Sequence, residues 1–258
     1  MRVKELHFFS KQDVYVKGLD WYERQFEACS PGCQMGEFST TYLHSEQALE
    51  RIFSAYPDVK IIVSVRDPVT RAESHFNNDI MAGLVPKHSC FSDMLLEKSE
   101  YWRRGLYFRK IRWLLEKFGR RQVLVLVLEE GKSNPEKFIR SIYRFLNVDT
   151  SFDAPSLMRK INVSAVPHSV IAGKLMDLIS RAMRALGMGR IIRYLRAIGV
   201  INWARKANAS NYKVPFNMHV WPPAVVEELE ADRQQLEAML GIDLKHWQSV
   251  ELMKLANG

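Results

Sequence analysis

The chain has 258 residues, of which 47% are hydrophobic, so it is long enough to bury a substantial core. We expect one domain over residues 1–258 rather than two. The formal net charge of +8 indicates an anionic partner, and a nucleotide, an acidic glycan, a lipid surface and nucleic acid are the candidates. Nucleic acid ranks last because the sequence has no recognition motif that combines basic and aromatic residues.

The cysteines and the apolar runs set the expected environment. Cys29, Cys33 and Cys90 include no C-x-x-C pair, and no histidine cluster has the spacing of metal ligands. We therefore expect free thiols and no metal site. No apolar run reaches the roughly 18 residues that span a bilayer, and the start shows no signal-peptide pattern. The default expectation is a cytoplasmic protein.

The first part of the chain is rich in aromatic residues. Residues 2–9 read R-V-K-E-L-H-F-F, and we expect the two phenylalanines to pack against a sheet. Residues 13–34 contain further aromatic side chains that predict the start of a helix and part of the core. Residues 45–56 have an amphipathic helical pattern, with Ser45 as its N-cap.

A strand followed by a helix is predicted for residues 60–76, which read K-I-I-V-S-V-R-D-P-V-T-R-A-E-S-H-F. The β-branched apolar run at 61–65 predicts a short strand buried on both faces, as in the parallel sheet of an α/β domain. Asp67 is a suitable N-cap, and Pro68 fits the first position of a helix.

This corner between strand and helix predicts an anion site. The Arg66 guanidinium stands beside free N–H groups at the start of a helix, a combination that binds phosphate. Arginine suits this task because its planar guanidinium group can donate hydrogen bonds to two phosphate oxygens at once. Ser74, about two turns into the helix, is expected on the same side.

The remaining elements follow from periodicity and capping residues. We predict a loop with a short helix at 81–101, a helix at 105–118, a second buried strand at 122–128, a helix started by Asn134 and Pro135, and a final helix at 223–240.

Residues 174–206 differ in composition from the rest of the chain. They carry eight basic residues and one acidic residue, and their apolar positions predict two amphipathic helices with a break at 187–189. We expect a basic helical insertion or lid over residues 170–206. It either contacts an anionic membrane surface, lines a cleft for an acidic polymer, or presents a solvated face.

Several motifs resemble those of sulfotransferases that use 3′-phosphoadenylyl sulfate. Residues 65–76 resemble the motif R-[DEN]-P-x-x-R-x-x-S-x-[YF], whose first Arg and Ser hold the 3′-phosphate of the nucleotide. The resemblance assigns these roles to Arg66 and Ser74. The K-E-x-H-F-F segment at 4–9 and the C-terminal segment at 232–247 are also similar to members of this family, in the same order.

A second motif supplies the expected catalytic base. Residues 36–42 (G-E-F-S-T-T-Y) resemble G-E-[KAS]-[TS]-P-x-Y, with Thr40 at the position of the usual proline. In relatives that act on glycans, the Glu of this motif is the general base, and it corresponds to Glu37. An alcohol needs such a group because it is a poor nucleophile until its proton is being removed. His7 is a weaker candidate for a second acid or base, or a structural residue.

The other expected nucleotide contacts rest on shorter matches. Tyr107 lies in a block similar to G-x-Y-x-x-x-L-x-x-W-L, and either approaches the nucleotide or packs in the core. Lys160 and Asn162 lie in a segment similar to the loop that closes over the nucleotide, and a plain basic loop is the alternative.

The resemblance implies an α/β fold of the P-loop-NTPase-like sulfotransferase type, with a central parallel sheet flanked by helices and a helical C-terminal part. We find no counterpart of the G-x-x-K-[AGS]-G-T-[ST] loop that cradles the 5′-phosphosulfate, and we expect a chain that is N-terminally truncated relative to the family.

The implied activity is transfer of a sulfuryl group from 3′-phosphoadenylyl sulfate (PAPS) to an acceptor hydroxyl on a glycan, a lipid or a small molecule, without a metal. The alternative is a non-catalytic relative that binds an anionic glycan or a membrane surface, with residues 174–206 as a peripheral membrane contact.

Overall fold

The computed structural model describes residues 5–27, 32–86, 88–153 and 221–249, together with the backbone of 166–167 and 209–210. The chain divides into two compact units. The first unit consists of residues 1–66, 106–157 and 231–244, and the second of residues 67–105, 158–230 and 245–258. The one-domain organisation remains a prediction.

The described helices and strands follow one another along both units. In chain order they are α1 (Gln12–Tyr15), α2 (Leu19–Glu23), a 3-10 helix (Tyr42–His44), α3 (Glu46–Ala55), β1 (Ile61–Val65), α4 (Pro68–Ala82), α5 (Phe91–Glu97), α6 (Glu100–Arg103), α7 (Phe108–Phe118), β2 (Val123–Val127), α8 (Leu128–Ser133), α9 (Pro135–Leu146), β3 (Val166–Pro167), β4 (Ala209–Ser210) and α10 (Pro223–Leu240).

A parallel strand pair lies in the first unit. β1 and β2 pair from Ile61 opposite Val123 to Val65 opposite Val127, which confirms both predicted strands and agrees with an α/β fold. The prediction that β1 is buried on both faces is wrong. Val63 and Val65 are buried, whereas Ile62 is 38% exposed and Ser64 is exposed. Because successive side chains of a strand point to opposite faces, one face of β1 lies at the surface.

Side chains cap the helices of the first unit. Ser45 accepts a hydrogen bond from the Ala48 N–H at 3.1 Å, as predicted for α3. The start of α7 is capped from a distant part of the sequence, because the Asp232 carboxylate on α10 accepts from the N–H groups of Tyr107 at 2.8 Å and Phe108 at 3.1 Å. A negative charge at this position also interacts favourably with the helix dipole.

In the second unit, α4 begins at Pro68, as predicted. Asp67 is 4% exposed, and its two carboxylate oxygens accept from the Val69 N–H at 2.8 Å and the Gln248 N–H at 2.9 Å. The carboxylate therefore caps α4 and also fixes the segment around residue 248.

The segment at 81–101 contains α5 and α6, one helix more than expected. Phe91 and Tyr101 from these helices pack on Phe76 of α4, with ring centroids 5.1 and 5.8 Å apart. All three rings are buried, so this segment contributes to the core of the second unit.

Two further findings concern the cysteines and the possibility of a membrane-spanning helix. Cys33 and Cys90 are free thiols, as predicted; both are exposed rather than buried or half-exposed, and Cys29 lies outside the described residues. Within the described ranges, none of the helices has both the length and the apolar sequence needed to cross a membrane.

We predict that Asp67→Ala lowers the free energy of unfolding by about 2–4 kcal/mol in urea denaturation. Losing a cap costs about 1 kcal/mol, and a buried N–H left without an acceptor costs about 1–3 kcal/mol more. Asn134→Ala is the matched control, because Asn134 is an exposed cap with one such bond, to the Lys137 N–H. Equal losses for the two variants would show that the bond to Gln248 contributes nothing.

Candidate active site

An aromatic cluster fixes the segment that carries the candidate site. Leu6, Phe8 and Phe9 are buried, at 6%, 0% and 2% exposure. The ring of Tyr22 on α2 lies 4.8 Å from Phe8 and 5.1 Å from Phe9, and Tyr15 on α1 also contacts both. The ring partners of the two phenylalanines thus lie on helices of the first unit, whereas the sequence predicted packing on the sheet.

Glu37 joins this N-terminal segment to residues 36–45. Its Oε1 accepts from the Leu6 N–H at 3.2 Å and from the Ser39 hydroxyl at 2.5 Å. The Tyr42 hydroxyl lies 2.8 and 2.9 Å from the two carboxylate oxygens and accepts from the Phe9 N–H at 3.4 Å. We call Glu37 and these donors the carboxylate hub.

Tyrosines around the hub are held in the neutral form. Burial, and then the hydrogen bond to Glu37, raise the pKa of Tyr42 well above its ordinary value. Burial, and then the charge of Glu37, do the same to the pKa of Tyr22. Burial, and then a hydrogen bond to Glu23, raise the pKa of Tyr56 to about 12. These phenols therefore remain hydrogen-bond donors across the physiological pH range.

A second carboxylate, Glu5, pairs with His7 beside the hub. Its Oε2 lies 3.4 Å from His7 Nε2, and the two side chains are 24% and 20% exposed. The same oxygen accepts from the Thr40 N–H at 3.3 Å and from the Thr40 hydroxyl at 2.9 Å. Sequence reasoning missed Glu5, although its position in the K-E-x-H-F-F segment, two residues before His7, was a usable signal.

The other side of the His7 ring contacts hydroxyl groups. Nδ1 lies 2.9 Å from Thr41 Oγ1, which lies 2.6 Å from Ser10 Oγ. The backbone of His7 has a φ of +53°, a left-handed conformation that is uncommon outside glycine. Such strain persists only where the surroundings hold it, and it concentrates at functional sites.

The structure agrees only in part with the phosphate site predicted between β1 and α4. Arg66 follows β1 in the first unit, Ser74 lies on α4 in the second, and both are half-buried. Their pairing as a phosphate clamp stays a prediction. The expectation of free N–H groups at the start of α4 is wrong for Val69, because its N–H donates to the Asp67 side chain. Side chains would have to supply more of the anion contacts than the sequence suggested.

The remaining predicted contacts have different outcomes. Tyr107 is 3% exposed and its N–H donates to Asp232, which supports the core alternative, and its nucleotide contact stays a prediction. Lys160, Asn162 and the basic stretch at 174–206 lie outside the described residues. Within the part of the chain that is described, no group of three or more His, Cys, Asp or Glu side chains is placed to hold a metal ion.

A cavity of about 210 Å³ lies elsewhere in the first unit. Its lining comes from β2, α7 and the end of α10, with Arg120 and Glu130 among mostly apolar residues. None of the predicted site residues lines this cavity.

Comparison with known proteins identifies the class. Residues 1–165 match the family described as the sulfotransferase domain, and the chain belongs to this family. It is similar to human heparan sulfate glucosamine 3-O-sulfotransferase 5, with 25% identity over 156 residues, and to mouse heparan sulfate glucosamine 3-O-sulfotransferase 3B1, with 30% identity over 155 residues. Each match covers 56% of this chain, and 45% and 38% of the relatives, so the chain spans less than half the length of these relatives.

A solved structure supports the fold. The crystal structure of a sulfotransferase from Alicyclobacillus acidocaldarius aligns with a TM-score of 0.61 at 22% identity. The alignment covers 96% of this chain and 87% of the other. Together with the parallel strand pair, this likeness establishes an α/β sulfotransferase fold.

We predict that alkaline pH destabilises the protein by deprotonating Tyr42 of the carboxylate hub. The pKa of a tyrosine is about 10 in the unfolded chain. Because the pKa of Tyr42 is higher in the folded protein, the folded state favours the neutral phenol. This contribution is complete below pH ~10 and declines as the pH rises through the folded pKa.

Denaturation series from pH 8 upward check this expectation. Tyr42→Phe should be less stable than the wild type by about 1–3 kcal/mol at pH 8, because a hydrogen bond to a charged group is lost, and its stability should fall less steeply above pH ~10. Tyr143→Phe, which alters a ring packed on Phe152, is the control and should keep the wild-type slope. An unchanged slope in Tyr42→Phe would exclude Tyr42 as a source of the effect.

Proposed function

We propose that this protein is a sulfotransferase that transfers a sulfuryl group from 3′-phosphoadenylyl sulfate to a hydroxyl group of a carbohydrate. Membership of the sulfotransferase domain family is the observation that carries the proposal. The carbohydrate acceptor is inferred from relatives whose names state action on heparan sulfate glucosamine. The net charge of +8 is consistent with an anionic donor and an acidic polysaccharide.

The proposed reaction is a direct displacement at sulfur. The acceptor oxygen forms a bond to sulfur while its proton passes to a carboxylate of the protein. The bond between sulfur and the phosphate oxygen of the donor breaks, and adenosine 3′,5′-bisphosphate leaves with the electron pair. The protein contributes by aligning the two reactants and by placing positive groups and donors where negative charge develops.

Two carboxylates compete for the role of base. We propose that Glu5 accepts the proton and that Glu37 positions the segment that carries it. The lone pairs of Glu37 accept from Leu6, Ser39 and Tyr42, and these donors occupy most of the positions at which Glu37 could take a proton from an acceptor. Glu5 has an imidazole 3.4 Å from its Oε2, which offers a second proton acceptor. Glu37 as the base, the expectation from the sequence, is the alternative.

Donor binding is assigned from the motif. We propose that Arg66 and Ser74 hold the 3′-phosphate of the nucleotide, and that Lys160, Asn162 and Tyr107 add further contacts. Arginine forms paired, charge-assisted hydrogen bonds to phosphate oxygens, so Arg66 is expected to contribute most of the phosphate affinity.

Calorimetry with adenosine 3′,5′-bisphosphate tests the donor site. Arg66→Ala should weaken binding by about 10–100-fold, as expected for loss of a hydrogen bond between charged groups. Arg112→Ala is the matched control, because Arg112 is a half-exposed arginine that pairs with Glu116 on the same helix. Absence of binding by the wild type would contradict the donor assignment, and equal binding by wild type and Arg66→Ala would remove Arg66 from the site.

Transfer of labelled sulfate tests the base. We offer PAPS with a glucosamine-containing polysaccharide, a lipid and a small alcohol as acceptors. Glu5→Gln should lower kcat by about 10²–10⁴-fold, the usual contribution of a general base, and leave nucleotide affinity unchanged. Glu37→Gln should lower kcat less and also reduce stability, and Glu46→Gln, at the exposed start of α3, should match the wild type.

Each alternative predicts a distinct result in this assay. If Glu37 is the base, Glu37→Gln abolishes turnover without loss of nucleotide affinity, whereas Glu5→Gln remains active. If the protein is a non-catalytic binder of acidic glycans, polysaccharide binds but no acceptor is labelled. The positive net charge alone favours that second candidate, and labelled product excludes it.

A further inference from the structure

We infer that Thr40 and Thr41 are positioning residues, which hold the side chains of Glu5 and His7 against each other for proton transfer. Thr40 donates two hydrogen bonds to the Glu5 carboxylate, and Thr41 determines which nitrogen of the His7 imidazole carries the hydrogen. This inference rests on the proposed function, in which Glu5 takes the proton of the acceptor hydroxyl.

Thr40 fixes the carboxylate through two donors. Its N–H and its hydroxyl reach the same oxygen of Glu5, Oε2, at 3.3 and 2.9 Å. Two donors from one residue restrict the rotation of a long, flexible side chain that would otherwise sample several rotamers. The motif that residues 36–42 resemble has proline at this position, and proline offers neither an N–H nor a hydroxyl. The two hydrogen bonds from Thr40 are therefore a feature of this chain rather than of the motif.

The hydroxyl groups behind His7 define which ring nitrogen carries hydrogen. The Ser10 hydroxyl donates to the carbonyl of His7 at 3.3 Å. A hydroxyl has one hydrogen, so while Ser10 donates to this carbonyl its oxygen accepts in the contact with Thr41 at 2.6 Å. In this arrangement Thr41 donates to Ser10, and the Thr41 oxygen accepts from His7 Nδ1 at 2.9 Å. The three bonds form a closed ring with one direction.

This direction places the proton of the neutral imidazole on Nδ1 and leaves the Nε2 lone pair facing Glu5. Nε2 and Glu5 Oε2 lie 3.4 Å apart, so a proton on this oxygen has the Nε2 lone pair as a neighbouring acceptor. A proton taken by Glu5 from the acceptor can pass to Nε2, where the imidazolium is stabilised by the carboxylate it faces.

The backbone holds the imidazole in this orientation. The His7 N–H donates to Ser39 Oγ at 3.0 Å, and the His7 carbonyl accepts from the Lys11 N–H at 2.9 Å. These bonds stabilise the left-handed conformation at φ +53°, which directs the ring between Thr41 and Glu5. Ser39 also donates to Glu37, so the hub and the pair share a residue.

Nuclear magnetic resonance of ¹⁵N-histidine-labelled protein tests the tautomer directly and requires no activity. Long-range ¹H–¹⁵N correlations distinguish the two neutral tautomers, and His7→Gln assigns the ring by loss of its signals. We expect the Nδ1–H tautomer in the wild type and in Thr41→Ser, and a shift toward Nε2–H in Thr41→Val. An Nε2–H ring in the wild type, or an identical spectrum for Thr41→Val, would overturn the assignment to Thr41.

Transfer kinetics then test whether the threonines act through the pair. Thr40→Val and Thr41→Val should each lower kcat about 10-fold, because Thr40→Val removes a hydrogen bond to the Glu5 carboxylate and Thr41→Val removes the acceptor of the imidazolium that forms when His7 takes the proton, while Thr40→Ser and Thr41→Ser stay within about 2-fold. Thr40→Val should have no further effect when added to Glu5→Gln, and Thr41→Val none when added to His7→Gln. A full additional loss in either double variant contradicts positioning and indicates a structural role.

The two measurements separate this inference from the proposed function. A wild type that transfers no sulfate to any acceptor contradicts the proposed function, and the spectrum still decides the tautomer. An active wild type with insensitive threonine variants contradicts the inference alone.

Discussion

The carboxylate of Glu37 is the interaction on which the candidate site depends. It joins two segments that lie about thirty residues apart in the sequence, because it accepts from the Leu6 N–H and from side chains at 39 and 42. A partly buried charge is costly to leave without partners, so the donors must gather around it when the chain folds. The aromatic cluster packs around Leu6, Phe8 and Phe9 in the same segment. The hub fixes the backbone on either side of Leu6, and with it the positions of Glu5 and His7.

Much of the fold could be predicted from local sequence patterns, whereas the contacts between residues far apart in the sequence could not. The strand at 61–65, the cap at Asp67 and the helix start at Pro68 depend on neighbouring residues, and all three were found. The error at β1 was also local, because Ser64 in the middle of the run already indicated one exposed face. Glu5 was missed although it stands two residues before His7, and its contact with Thr40, 35 residues away, leaves no sign in a single sequence. The φ of +53° at His7 had no sequence signal, because histidine does not require it.

The departures from the family motif are informative about chemistry. A motif describes which residue types recur, whereas hydrogen bonds determine what each residue does in one chain. Glu37 occupies the position of a motif carboxylate, and both of its oxygens accept hydrogen bonds from within the protein. Thr40 occupies a proline position and gains two donors that the motif residue lacks. The proposed division of roles between the two carboxylates follows from these contacts and leaves the family assignment unchanged.

The cap that Asp232 provides for α7 has a consequence for folding during synthesis. The acceptor follows its donor Tyr107 by 125 residues, so the ribosome needs about 6–25 s at 5–20 residues per second to deliver it. During that interval the first turn of α7 lacks this partner, and the residues of α7 and β2 that line the cavity lack the part of its lining that α10 supplies. Contacts of such long sequence separation form late and slow folding. The nascent chain thus has a period in which β1 and β2 are both available to pair while the start of α7 is still uncapped.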